Sequence, residues 1–206
     1  MMEQVFIVDD DLDFCDSLLW LLETADIAAK TFHSAEEFLQ FYRGGPGCVL
    51  LDVRMPGMNG IALQQTFLEM GAPLSVIIVT GHANVSIAVH AMKQKALDLI
   101  EKPFDGATLV SAIRNALALS QARHEADERG KAILADWEQL TRREKQIMLL
   151  VIKGMTNRQM ADHFDISVKT VEIHRSRVMR KMRADGLADL VAKSAVIAAS
   201  AVTIGG

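Results

Sequence analysis

Gln4-Val5-Phe6-Ile7-Val8-Asp9-Asp10-Asp11 is a short β-type apolar run that ends in three carboxylates. Four further runs of the same kind follow, at residues 27–32, 48–52, 74–80 and 98–101. Between the first two, Leu12, Cys15, Leu18, Leu19 and Leu22 recur at helical spacing. Ser34 with Glu37 forms a capping-box pattern ahead of a second helix, and residues 60–70, 84–95 and 105 onward supply three more. Five strand-helix units in succession predict an α/β doubly wound five-stranded parallel sheet with helices on both faces.

The alternation then stops. Residues 120–136 are rich in charge and alanine and read as an exposed helical linker that continues the fifth helix. Beyond it there are no strand signals. Thr141 with Glu144 and Thr156 with Gln159 are two more capping-box patterns, Gly154 stands where the first of these helices should end, and Ser167 can cap a third. Leu187, Leu190, Val191, Ser194 and Ile197 predict a fourth helix, whereas the small residues from Ala198 give no signal. The expected domains are 1–119, a linker at 120–136, and a small all-α domain at 137–206.

Charge divides along the same line. Up to Asp136 there are 10 Lys and Arg against 19 Asp and Glu, and from Trp137 onward 12 against 7, so an acidic part is joined to a basic one. Half of the residues are apolar, too many for a disordered chain. No apolar run approaches the ~20 residues that span a bilayer, and the first residues lack the pattern of a secretion signal. The expected location is cytoplasmic, where Cys15 and Cys48 are small buried thiols.

In a doubly wound sheet, ligands bind beyond the carboxyl ends of the strands. Here those ends carry Asp9, Asp10 and Asp11, then Asp52, Thr80, and Lys102-Pro103. Taken singly, each has a structural reading: acidic residues at a helix start cap it and match its dipole, a threonine closes a strand, a lysine is a solvated charge. Taken together, converging carboxylates imply a bound cation, and an all-oxygen donor set with few protein ligands suits Mg²⁺. With Mg²⁺ and a lysine offsetting an incoming phosphoryl group, a central carboxylate can act as the nucleophile.

Val8-Asp9-Asp10, the stretch Asp52-Val53-Arg54-Met55-Pro56-Gly57-Met58-Asn59-Gly60, Val79-Thr80-Gly81-His82 and Glu101-Lys102-Pro103-Phe104 resemble the receiver-domain signature of two-component response regulators in its FixJ-like form. The resemblance covers about 4–119 and implies a flavodoxin-like sheet of strand order 2-1-3-4-5. It makes Asp52 the phosphoacceptor, with Thr80 and Lys102 contacting the phosphoryl group. Asp10, Asp9 acting mainly through water, Asp52 and the backbone carbonyl of Arg54 would hold Mg²⁺, and the Lys102-Pro103 bond is expected to be cis. Arg54 and His82 occupy positions that tune phosphoryl loss in the family. One position departs: the aromatic residue usual three places before the lysine is Leu99.

In the basic part, cap, helix, Gly154, cap, short helix, turn and long helix form a helix-turn-helix pattern. On the long helix, Val171, Val178 and Met182 share the face that should pack inward. Lys169, Thr170, Glu172, Ile173, Arg175, Ser176, Arg177 and Arg180 are the expected DNA contacts: Arg and Lys for phosphates, and Glu172, Ile173 and Ser176 for base edges in the major groove. His174 is expected to be a half-buried packing residue. Residues 140–144, 154–161 and 166–174 resemble the NarL/LuxR-type helix-turn-helix, in which a fourth helix commonly mediates pairing.

These features predict a transcription factor with no enzymatic turnover of its own. Its implied partners are a sensor histidine kinase, double-stranded DNA, a second copy when phosphorylated, and RNA polymerase. Two alternatives compete. Asp9, Asp11 and Asp13 have the Asp-x-Asp spacing of an aspartyl-phosphate phosphohydrolase, although no segment supplies a substrate cap. A DNA-binding regulator whose receiver works without phosphorylation is the other.

Overall fold

The structure is a computed structural model that describes residues 4–81 and 85–204. The chain divides into two compact units, Met1–Glu125 and Ala126–Gly206.

In the first unit, β1 (Val5–Val8), β2 (Ala29–Phe32), β3 (Gly47–Leu51), β4 (Leu74–Thr80) and β5 (Asp98–Glu101) form one sheet of order β2-β1-β3-β4-β5. Every neighbouring pair is parallel. The central strands β1, β3 and β4 are buried along their whole length, so their sequences are largely apolar apart from Ser75 and Thr80 of β4, while the edge strands β2 and β5 keep exposed residues. Alternation along each strand sorts side chains to two faces. Phe6, Val8, Val49, Leu51, Val76 and Ile78 pack with residues of α2 (Ala35–Phe41), α3 (Gly60–Glu69) and α4 (Val85–Lys93). Val5, Ile7, Cys48, Leu50, Ile77 and Val79 pack with α1 (Leu12–Thr24) and the first part of α5 (Gly106–Glu138). Each large apolar side chain fully removed from water on these faces contributes roughly 1.5–3 kcal/mol.

Helix starts follow local chemistry. Asp11 caps α1 by accepting from Phe14 N at 3.0 Å. Ser34 caps α2, accepting from Glu37 N at 3.1 Å, but the Glu37 carboxylate takes the N–H of His33 at 2.7 Å instead of returning to Ser34. The reciprocal half of the expected box is therefore shifted by one residue.

The segment 120–136 is helical throughout as part of α5, yet it is not exposed throughout. Ser120 is fully buried, accepting from Gly47 N at 2.8 Å and donating to the carbonyl of Pro73, and Asp136 is 8 % exposed. In the second unit, α6 (Arg142–Ile152), α7 (Asn157–Phe164), α8 (Val168–Lys181) and α9 (Leu187–Ile204) enclose Leu140, Ile147, Met148, Val151, Met160, Val171, Val178, Met182 and Leu190. Ile133 and Trp137 from the end of α5 pack against this core. Both predicted capping boxes, Thr141 with Glu144 and Thr156 with Gln159, are complete. Gly154 follows α6 at φ 84°, a left-handed position where a side chain would be strained. The backbone of α9 continues past Ile197 to Ile204, because Ala198, Ala199 and Ala201 are strong helix formers even without a large apolar stripe.

Candidate functional site

The register of the sheet assembles the acidic site. Val8 lies beside Leu51, so the residues that follow them, Asp9 and Asp52, emerge together, with Asp52 N donating to Val8 O at 3.0 Å. Thr80 ends β4, and Lys102 N donates to its carbonyl at 3.0 Å, which brings the lysine to the same edge. The Lys102-Pro103 peptide is cis.

Asp9 is 3 % exposed and uses both carboxylate oxygens: one accepts from Asp11 N at 3.0 Å, the other from Lys102 Nζ at 2.7 Å. Asp52 is 8 % exposed and accepts from Arg54 N at 2.6 Å. Burial pushes the Asp52 carboxyl above its ordinary range, and the negative charge of Asp9 adds to this. The Arg54 N–H, the Lys102 charge and a hydrogen bond from the Thr80 side chain pull the other way without winning. Thr80 itself is fully buried.

Asp10 is exposed at the rim, and so is the side chain of Arg54. Among the described residues, no group of three or more His, Cys, Asp or Glu side chains is drawn together as a metal site. Two buried carboxylates met by one ammonium nevertheless form a net negative, all-oxygen donor set, which fits a hard divalent cation that keeps much of its water. His82 lies outside the described residues. Leu99 is half-buried and packs against the core cluster that includes Ala91 of α4 and Ala96 of the turn before β5.

Three features of this site escape pattern reading. A Cβ on Gly60 would stand 2.0 Å from the carbonyl oxygen of Asp52, so α3 starts against the backbone of Asp52, a contact that the presence of Gly60 in the signature does not announce. Gln64, one turn later and 1 % exposed, donates to the carbonyls of Ala91 and Gln94 at 3.1 and 3.0 Å. Lys102 Nζ lies 3.4 Å from the centroid of the Phe14 ring.

In the second unit α8 is two-sided. Val171, Val178 and Met182 are buried, and Lys169, Glu172, Ile173, Ser176, Arg177 and Arg180 line one shallow concave surface. Ile173 leaves 44 % of its surface in water there. Glu172 pairs with Lys169 at 3.4 Å. The other two expected contacts differ: the hydroxyl of Thr170 bonds to that of Ser167 at 2.8 Å, and half-buried Arg175 bonds to the Asn157 side chain. His174 is half-buried, its Nδ1 enclosed with no hydrogen-bond partner among the described residues. Behind the basic face, Glu144 of α6 and Lys181 of α8 form an ion pair at 2.6 Å, with Glu144 2 % exposed. Nothing periodic links two residues so far apart in the chain.

The response regulator receiver domain family matches residues 5–114, and the luxR family of bacterial regulatory proteins matches residues 138–194. The transcriptional regulatory protein FixJ of Bradyrhizobium diazoefficiens is 38 % identical over 188 residues, 91 % of this chain and 92 % of FixJ. The response regulator protein TodT of Pseudomonas putida is 37 % identical over 91 % of this chain and 83 % of its own. Among solved structures, the response regulator StyR superposes with a TM-score of 0.87 at 35 % identity, covering 94 % of this chain and 98 % of StyR.

Proposed function

The chain belongs to the two-component response regulators, with a receiver domain followed by a luxR-type DNA-binding domain that regulates transcription, and from that premise we propose that Asp52 accepts a phosphoryl group from a sensor histidine kinase. The observation that carries the proposal is the meeting of Asp9, Asp52, Thr80 and Lys102 at the carboxyl end of the sheet, with both carboxylates buried and that of Asp52 incompletely neutralised. The domains are a receiver at 1–119, a helical linker at 120–136 and a DNA-binding domain at 137–206, in a cytoplasmic protein. Among the described residues no helix is long and apolar enough to cross a membrane.

Asp9, Asp10, Asp52 and the backbone carbonyl of Arg54 would hold Mg²⁺. When bound, the ion supplies positive charge that offsets both the carboxylates and the phosphoryl oxygens. The Asp52 carboxylate attacks phosphorus, forming an O–P bond as the P–N bond to the donor histidine breaks and the imidazole departs. Lys102 exchanges Asp9 for a phosphoryl oxygen. The Thr80 hydroxyl, bonded to Asp52 beforehand, follows the same oxygen. Phosphorylated copies pair and set two α8 helices on a two-fold related DNA site, where RNA polymerase is a further partner. Lys169, Arg175, Arg177 and Arg180 contact phosphates, Glu172, Ile173 and Ser176 read bases, and Thr170 completes the DNA-contacting set.

Incubation with labelled acetyl phosphate and Mg²⁺ should place the label on Asp52, and genomic footprinting should find sites strengthened by the phosphodonor. Asp52→Asn should lose both. Label at Asp9 with turnover of external phosphoesters would mean a phosphohydrolase, and footprints insensitive to Asp52→Asn would mean a phosphorylation-independent regulator. Glu172→Ala should relax base preference at one position of the site, by roughly 1–3 kcal/mol. Equal weakening on every sequence would remove Glu172 from base reading.

A further inference from the structure

Lysine is a flexible point charge, and a lysine that must meet a transferred phosphoryl group has to be localised without having its donors consumed. Lys102 has two neighbours that attract it. Asp9 binds Nζ at 2.7 Å, but a carboxylate competes with phosphoryl oxygens for the same N–H groups. The second neighbour is the face of Phe14, whose centroid lies 3.4 Å from Nζ. An aromatic face attracts the ammonium through its quadrupole and leaves its N–H donors available.

The ring is fixed from two directions. Phe14 sits in the first turn of α1, its N–H given to the capping Asp11 at 3.0 Å. It also meets Phe104 edge-on, with centroids 6.1 Å apart and planes at 83°. Phe104 stands two residues after Lys102, so the loop that carries the lysine also steadies the ring. Phe14, Leu18, Leu21, Pro103 and Phe104 line an apolar hollow beside Lys102, and the Lys102 side chain is only 22 % exposed.

The geometry points to Phe14 as a positioning residue that holds the Lys102 ammonium for the phosphoryl group. The inference rests on the proposed role of Lys102 and deepens it. It differs from simple packing, because an aliphatic side chain of similar bulk fills the hollow and does not attract a cation.

The test uses the full chain with acetyl phosphate at saturating Mg²⁺, and reads the NMR shift of the Lys102 Hε protons together with the kcat and KM of self-phosphorylation. The ring current should move the Hε signals upfield in the unaltered chain. Phe14→Leu should abolish that shift and lower kcat/KM about fivefold, the scale of a partly screened cation–π contact. Phe14→Tyr, which keeps the ring, should restore both. The inference is overturned if Phe14→Leu keeps the unaltered rate, or if the Tyr variant is impaired as much as the Leu variant, since packing then explains the loss. Lys102→Ala separates the two levels. If it is labelled at the unaltered rate, the reading of Lys102 falls and takes Phe14 with it; if it is impaired while Phe14→Leu is not, Phe14 alone is dismissed.

Discussion

Asp52 in the first unit and Glu144 in the second are both carboxylates enclosed by protein, and their surroundings treat them in opposite ways. Burial pushes Glu144 up as it does Asp52, but the Lys181 ammonium at 2.6 Å and the Thr141 N–H at 2.8 Å, with the Thr141 hydroxyl, overcome it and hold the group down at about 2. Asp52 receives a backbone N–H and a threonine hydroxyl, faces the like charge of Asp9, and ends above its ordinary range. Burial alone therefore does not mark a reactive carboxylate. The mark is neutralisation left incomplete, which a cation and a phosphoryl group can finish.

The widest separation between the two should appear in labelling. Asp52→Asn should abolish acceptance of phosphate from acetyl phosphate, whereas Glu144→Gln should leave the label on Asp52. Stability should then split in opposite directions. Glu144→Gln leaves the Lys181 ammonium with the Gln139 carbonyl and a neutral amide in place of its counter-charge, and should cost the second unit roughly 2–3 kcal/mol. Trp20→Phe leaves half-buried Trp137 as the single tryptophan, so its fluorescence can follow that unit during denaturation.

Acid sharpens the same point. The folded value of Glu144, about 2, lies below its ordinary 4.5, so the folded state binds this proton less tightly than the unfolded chain does. Its stabilisation is full above pH 4.5 and should drain away as pH falls from 4.5 to 2, a slope that Glu144→Gln should flatten. The smallest expected effect has the reverse sign. The folded value of Asp52 is raised, so its ionisation penalises folding progressively as pH rises above the ordinary 3.8, and fully once pH exceeds the folded value; Asp52→Asn should stabilise the first unit at neutral pH by less than Glu144→Gln destabilises the second. Destabilisation by Asp52→Asn would show that its charge is as well compensated as that of Glu144.

What the sequence disclosed is whatever repeats or punctuates. Buried parallel strands announced themselves as apolar runs, and helix starts as Ser34, Thr141, Thr156 and Ser167, because caps and periods are local. The acidic edge was legible because each strand end is a definite place in the sheet. Pairings between distant residues were not: Lys102 with Phe14, Ser120 with Gly47, Gln64 with the end of α4, and Glu144 with Lys181 have no spacing rule. Thr170 and Arg175 share the sweep of α8 by periodicity, and their bonds to Ser167 and Asn157 have no signature in that period. Asp52 and Thr80 as neighbouring strand-end residues were visible; the Arg54 N–H that fails to quiet Asp52 was not.

Gly60 carries a last consequence, one for anyone building a mutant library. Near Asp52 most positions can be debated in terms of charge, size or polarity. At Gly60 those terms are void, because the first carbon of any side chain would fall 2.0 Å from the Asp52 carbonyl oxygen. A pool randomised at that codon and selected for phosphate acceptance should return glycine alone, with alanine as absent as tryptophan, and enrichment of alanine would mean that the acceptor loop has more slack than its geometry allows.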